Sequence, residues 1–152
     1  MNLGDYFPQN IQDDYINRSL KVGAVLKMFV NDTLPPKEKR FIVIGFSNDN
    51  LSLASIYINS EINTCINWSD QLKSLQMELW SEGREYLKHR SYVDCSKFIP
   101  RNLKEIETVL KNRPDSIIGE VSKNDLQLIM EKIKNASTIS KKQKIKYGIL
   151  KC

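Results

Sequence analysis

The chain has 152 residues, 41% of them hydrophobic, and a formal net charge of +5 from 23 Lys+Arg against 18 Asp+Glu. That length suits one domain, and the apolar content is enough for a packed core, which excludes a disordered chain. The longest apolar run, Phe41 to Phe46, is six residues, far short of the roughly 18 that a membrane helix needs.

In chain order, the first 19 residues read as a polar N-terminal extension. Tyr6, Phe7, Ile11, Tyr15 and Ile16 give it one apolar face, with a short helix from about Ile11 to Ser19 docking on the body. The opening Met1-Asn2-Leu3-Gly4-Asp5 has no positive flank and no apolar stretch, so no signal peptide is expected and a cytoplasmic protein is. Val22 to Val30 reads as a strand, short and partly β-branched. Asn31 to Lys39 contains Asn31-Asp32 and Pro35-Pro36 and reads as a loop, because proline cannot donate to a strand ladder. Arg40 to Phe46 is nearly all apolar, as a central strand covered on both faces would be. Leu51 to Ile58 pairs with it as a hairpin across the Ser47–Asn50 turn.

Residues 59–90 carry no clean period. Ser91 to Ile99 alternates as a strand that ends at Pro100. Leu103, Ile106, Val109 and Leu110 recur at helical spacing and predict a helix over 102–112. Ile117-Ile118 fits a short strand. Ser122 caps the clearest helix, whose stripe is Leu126, Ile129, Met130 and Ile133, and Ser140 caps a last short turn through Lys146. Short, closely spaced strands with helices towards the ends predict a mainly β domain over 20–134, a small antiparallel barrel or strongly bent sheet.

The positive charge is not evenly spread. Residues 132–152 hold seven lysines and no acid, while residues 1–131 hold 16 bases and 18 acids. The lysine-rich tail, 135–152, either contacts phosphates through Lys141, Lys142 and Lys144 or is a solvated helix end; charge alone leaves both open.

Several chemistries lose their support at once. Three cysteines without a CxxC pair and a single histidine, His89, argue against a disulfide framework and against zinc. No GxxxxGK[ST] or GxGxxG occurs, so no nucleotide cofactor is expected. Chemistry that needs neither a metal nor a Cys/His nucleophile remains. RNA cleaves itself when its 2′-hydroxyl attacks the adjacent phosphate, and a protein need only orient the attack, neutralise the phosphorane and move protons. Arg40 stands at the start of the core strand, and Asn59 and Ser60 stand just past the end of its hairpin partner, so pairing brings these ends together. A strand-end salt bridge is the plainer role for Arg40.

Four segments in order carry a resemblance. They are Val22-Gly23-Ala24-Val25 followed after a loop by Arg40-Phe41-Ile42-Val43-Ile44, then Ala54 to Ile62, then Ser91 to Phe98, then Gly119-Glu120-Val121-Ser122-Lys123-Asn124-Asp125-Leu126. Over about residues 20–134 the chain resembles the MazF/PemK (Kid) toxins. The resemblance implies an SH3-like barrel with a C-terminal helix, commonly a homodimer. It also implies metal-independent cleavage of single-stranded RNA, neutralised by an antitoxin protein. Arg40 matches the family's catalytic arginine. The hydroxyl position falls on Asn59 without a gap and on Ser60 with a shift of one. Lys39, His89 and Arg90 are further RNA-binding candidates. The departures are Ala24 where the family has an acid, Phe41 for proline, and Asp94 and Ser96 where some members carry a catalytic Arg and Asp. Two functions follow: a toxin-like endoribonuclease, or a catalytically degenerate barrel that binds RNA or a partner protein.

Overall fold

The structure, a computed structural model, describes residues 9–151. Tyr6, Phe7 and Cys152 lie outside them. The elements in order are α1 (Gln9–Ser19), β1 (Ala24–Val30), β2 (Lys37–Phe46), β3 (Ser52–Asn59), α2 (Asp70–Ser74), β4 (Gln76–Leu79), β5 (Ser91–Asp94) and β6 (Ile99–Asn102). Then come α3 (Leu103–Asn112), a 3-10 turn (Pro114–Ser116), β7 (Ile117–Glu120), α4 (Lys123–Asn135) and α5 (Lys141–Lys146). The chain is mainly β, with one curled antiparallel sheet forming a half-barrel. Six strands run in the order β4-β5-β3-β2-β1-β7, and β6 pairs with β3 on the same edge as β5. No helix among the described residues is long and apolar enough to cross a membrane.

The hairpin forms as its apolar pattern predicts, with Ile42 opposite Ile56 and Phe41 opposite Tyr57. Because strand side chains alternate between faces, β2 and β3 feed two separate cores. Ile42, Ile44, Ile56 and Ile58 join Ile129 and Ile133 of α4 on one face. Phe41, Val43, Leu53 and Tyr57 join Ile16 of α1 and Ile106 and Leu110 of α3 on the other. The Tyr15 hydroxyl donates to Pro114 O at 2.7 Å, fixing α1 beside the turn that follows α3.

Two boundaries differ from the sequence expectation. β2 begins at Lys37 because Lys37, Glu38 and Lys39 pair with Val30, Phe29 and Met28. The segment expected as one strand over Ser91–Ile99 is two. The Asp94 carboxylate accepts from the Ser96 amide at 3.0 Å and from the Ser96 hydroxyl, turning the chain between β5 and β6. β6 contains Pro100, which an edge strand tolerates because no ladder donor is required there.

The C-terminal segment is built into the body. Ala136, Ile139, Tyr147 and Ile149 are buried in the α4-side core. A Cβ on Gly45 would stand 2.2 Å from Tyr147 O, so only glycine lets this segment lie against β2. Lys144 meets neither expectation for the tail, phosphate contact or a solvated helix end: it is buried, and its ammonium donates to Lys134 O at 2.9 Å and Ala136 O at 2.8 Å. These carbonyls close the end of α4, which has no intrahelical donors of its own for them, and a cation is favoured at that pole. Replacing Lys144 by Ala therefore costs about 2–4 kcal/mol in urea unfolding. Lys141→Ala and Lys142→Ala, at exposed positions, stay within about 0.5 kcal/mol of wild type.

The opposite end of α4 is held just as firmly. Ser122 Oγ accepts from the Asp125 amide at 3.1 Å, and the Asp125 carboxylate accepts two bonds from Arg84, at 2.8 and 3.0 Å. Arg84 also donates to Trp80 O at 2.8 Å, tying the chain after β4 to the helix. The Arg84 guanidinium holds the Asp125 carboxyl below the ordinary carboxylate range. A depressed folded pKa stabilises above the unfolded value, near 4, and that stabilisation disappears as pH falls through the folded value. Asp125→Asn should thus cost about 2 kcal/mol at neutral pH, and the gap to wild type should close below about pH 4 in pH-resolved denaturation.

Candidate functional site

On the α3-side face the apolar cover ends at Phe41 and Tyr57. The next residues along the same face, Lys39 and Asn59, are half-buried, and the Lys39 ammonium donates to Asn59 Oδ1. That ammonium also stands 5.0 Å from the centre of the Tyr57 ring. Burial, with Lys37 adding to it, lowers the Lys39 pKa from its ordinary value. A cleft of about 480 Å3 opens around the pair. Its walls come from the loop between β1 and β2, the segment after β3, and the turn after β5.

The cleft holds three lysines, Lys37, Lys39 and Lys97, and three acids, Asp32, Glu61 and Asp94. The charges are not equally available. Asp94 is buried and accepts from Gln76 Nε2 at 2.8 Å as well as from Ser96. Asp32 accepts from the Tyr57 hydroxyl, with Arg101 Nη1 3.7 Å away. Lys37 and Lys97 are exposed and form no ion pair among the described residues. Asp32 and Asp94 are therefore tied into the wall by hydrogen bonds, and the exposed charged side chains at the margin are Lys37 and Lys97 with Glu61.

Arg101 organises that wall. Its guanidinium lies 4.3 Å from the centre of the Phe41 ring and donates to Ser55 Oγ at 3.0 Å and to the Tyr57 hydroxyl at 2.9 Å. Burial, and then the bond to Asp32, push the Tyr57 phenol up to about 12, so it stays a proton donor throughout the usable pH range.

The candidates from the sequence separate on this surface. Asn59, Ser60 and Lys39 line the cleft. Arg40 does not. It pairs with Ile58, and alternation puts it on the face of Ile42 and Ile44, across the sheet from Asn59. Its Nε is buried without a hydrogen-bond partner among the described residues. The hairpin thus pairs as expected, but the cation beside Asn59 is Lys39, one residue earlier. His89 and Arg90 are exposed and lie outside the cleft lining; His89 Nδ1 is 2.9 Å from Arg90 O. Lys141 and Lys142 are exposed on α5 and do not line it, and Lys144 is committed to α4. Cys95 is buried, and burial with the neighbouring Asp94 pushes its thiol up to about 12, far from a thiolate nucleophile.

The sequence reading missed Tyr57, Arg101, Gln76 and Lys97, and named Asp94 only as a departure from the family pattern. Continuing the two-residue period past Pro100 puts Arg101 on the face of Ile99, and the β3–β6 register then sets it opposite Leu53. Gln76 meets Asp94 through the β4–β5 pairing, and β4 has no periodic signal of its own. No family model matches this chain, and no curated protein matches it.

Proposed function

We propose that the cleft binds single-stranded RNA, the lysines taking phosphates and the Asn and Ser groups taking sugar or base edges. The reading rests on one observation: Lys39 is bonded to Asn59 at the cleft's base, with Lys37 and Lys97 exposed at its margin and without an ion pair among the described residues. Phosphate contacts by lysine supply sequence-independent affinity, and amide and hydroxyl groups suit the 2′-hydroxyl and base edges. The half-barrel is read here as a relative of the SH3-like barrel, with the arginine that the resemblance makes catalytic turned to the other face.

Cleavage is the second reading, favoured by the environment of Lys39. A partly desolvated ammonium beside Asn59 and Ser60 is suited to stabilise a phosphorane and to exchange a proton. In that case the chain acts as a toxin-like endoribonuclease, with an antitoxin protein as the partner that blocks the cleft.

The test uses a fluorescein-labelled oligouridylate in anisotropy titrations over a salt series. Wild type should lose affinity steeply with salt. The Lys37→Gln/Lys39→Gln/Lys97→Gln variant should bind at least about 10-fold more weakly, with a slope of log K against log salt shallower by about 2. Arg40→Ala should bind like wild type. Equal affinity and equal slope for the triple variant and wild type would overturn the cleft as the binding site. For cleavage, the products should carry a 2′,3′-cyclic phosphate, and Lys39→Ala should abolish them while Arg40→Ala leaves them. Loss on Arg40→Ala with activity kept by Lys39→Ala would move the chemistry to the opposite face.

A further inference from the structure

We propose that Trp80, Arg90 and Tyr92 form a base-stacking subsite that continues the cleft, so that the RNA runs across the strands. The proposal rests on the reading of the cleft as an RNA site and extends it to the bases. Register supplies the path. Lys39 of β2 lies beside Asn59 of β3, Asn59 is opposite Tyr92 of β5, and Tyr92 is opposite Glu78 of β4. Directly opposed residues share a face, so these four form one cross-strand row, and two strand spacings, roughly 10 Å, separate Lys39 from Tyr92.

At the β4 end of that row the chemistry changes from ammonium to planar groups. The Arg90 guanidinium lies 5.2 Å from the Trp80 ring centre and 5.9 Å from that of Tyr92, with Glu78 Oε1 3.8 Å from its Nη1. Trp80 is 56% exposed, a large apolar surface left open to solvent. Its backbone is nevertheless fixed, because Trp80 O accepts from Arg84, which is itself held twice by Asp125 at the start of α4. An exposed aromatic ring on an anchored backbone, with a guanidinium against it, is a platform on which any nucleobase stacks. Charge selects the occupant: a chain that puts a flat apolar face at Trp80 and a negative charge at Lys39, Lys37 and Lys97 is a single-stranded polynucleotide. Tyr92 contributes little area of its own, being half-buried, and serves to hold Arg90.

Stacking and phosphate contacts leave different signatures, and the test separates them. The chain has two tryptophans, so Trp68→Phe leaves Trp80 as the one reporter. Saturable quenching of its fluorescence by oligouridylate is expected, with weaker quenching by ribose 5-phosphate, which lacks a base. Trp80→Leu should lower affinity for oligouridylate roughly 5- to 100-fold while the salt slope stays that of wild type. Arg90→Lys, which keeps the charge and loses the plane, should also weaken binding. A matching melting curve for each variant shows that the fold is intact, as the exposure of both side chains requires. Wild-type affinity for Trp80→Leu, with affinity lost in the triple lysine variant, overturns the subsite and leaves the cleft standing. No salt-dependent binding by wild type overturns both.

Discussion

β2 and β3 are buried on both faces over their middle residues, and the rest of the molecule is organised by that double burial. A strand buried on one face already resists a slip of one residue, which would turn its whole apolar set to solvent. Here a slip of one residue would exchange Ile42 and Ile44 with Phe41 and Val43, and two differently shaped cores would be wrong together. The register is therefore held by packing against α4 on one side and against α1 and α3 on the other. That register decides which cation meets Asn59. Once Ile42 faces Ile56, Arg40 must face the α4 side and Lys39 the other.

The same logic accounts for what could be read from the chain without its structure. Long apolar runs and capped helical stripes carry their own signal, which is why β1, β2, β3, α3 and α4 and the caps Ser122 and Ser140 emerge from spacing alone. β4 has four residues and no alternation that neighbours do not share, and it exists because β5 offers it an edge. Proximity at the hairpin mouth was legible; facing was not, because counting from a loop end with an uncertain strand start leaves parity undetermined. Extending β2 back to Lys37 shows that the expected loop hid three paired residues.

Charge was the least reliable guide. The seven lysines after residue 131 suggest a solvated basic arm. Yet Ala136, Ile139, Tyr147 and Ile149 sit at intervals that seat the segment in the core, and Gly45 on β2 gives the Tyr147 backbone room to approach. Lys144 follows from that docking, because its ammonium can be buried only where carbonyls at the end of α4 replace its water. A net charge sums such a lysine with Lys141 and Lys142, although the first is structural and the others face solvent. The distribution that bears on phosphate is the local one in the cleft, where the body as a whole is slightly acidic.

The field in the cleft depends on how its acids are used. Asp94 turns the chain between β5 and β6 and receives Gln76; Asp32 anchors the β1–β2 loop through Tyr57 and Arg101. Each carboxylate thus does structural work with fixed partners, an amide and a hydroxyl for Asp94 and a guanidinium and a phenol for Asp32, and both still pull on the Lys39 charge. The Tyr57 phenol, at about 12, consequently stays protonated near neutrality. Lys39 differs, since burial lowers its pKa while Asn59 and the Tyr57 ring hold it in place. The cleft therefore combines a fixed, preorganised frame with one cation at its base whose pKa burial lowers, and an anion brought beside that ammonium would favour its charged form.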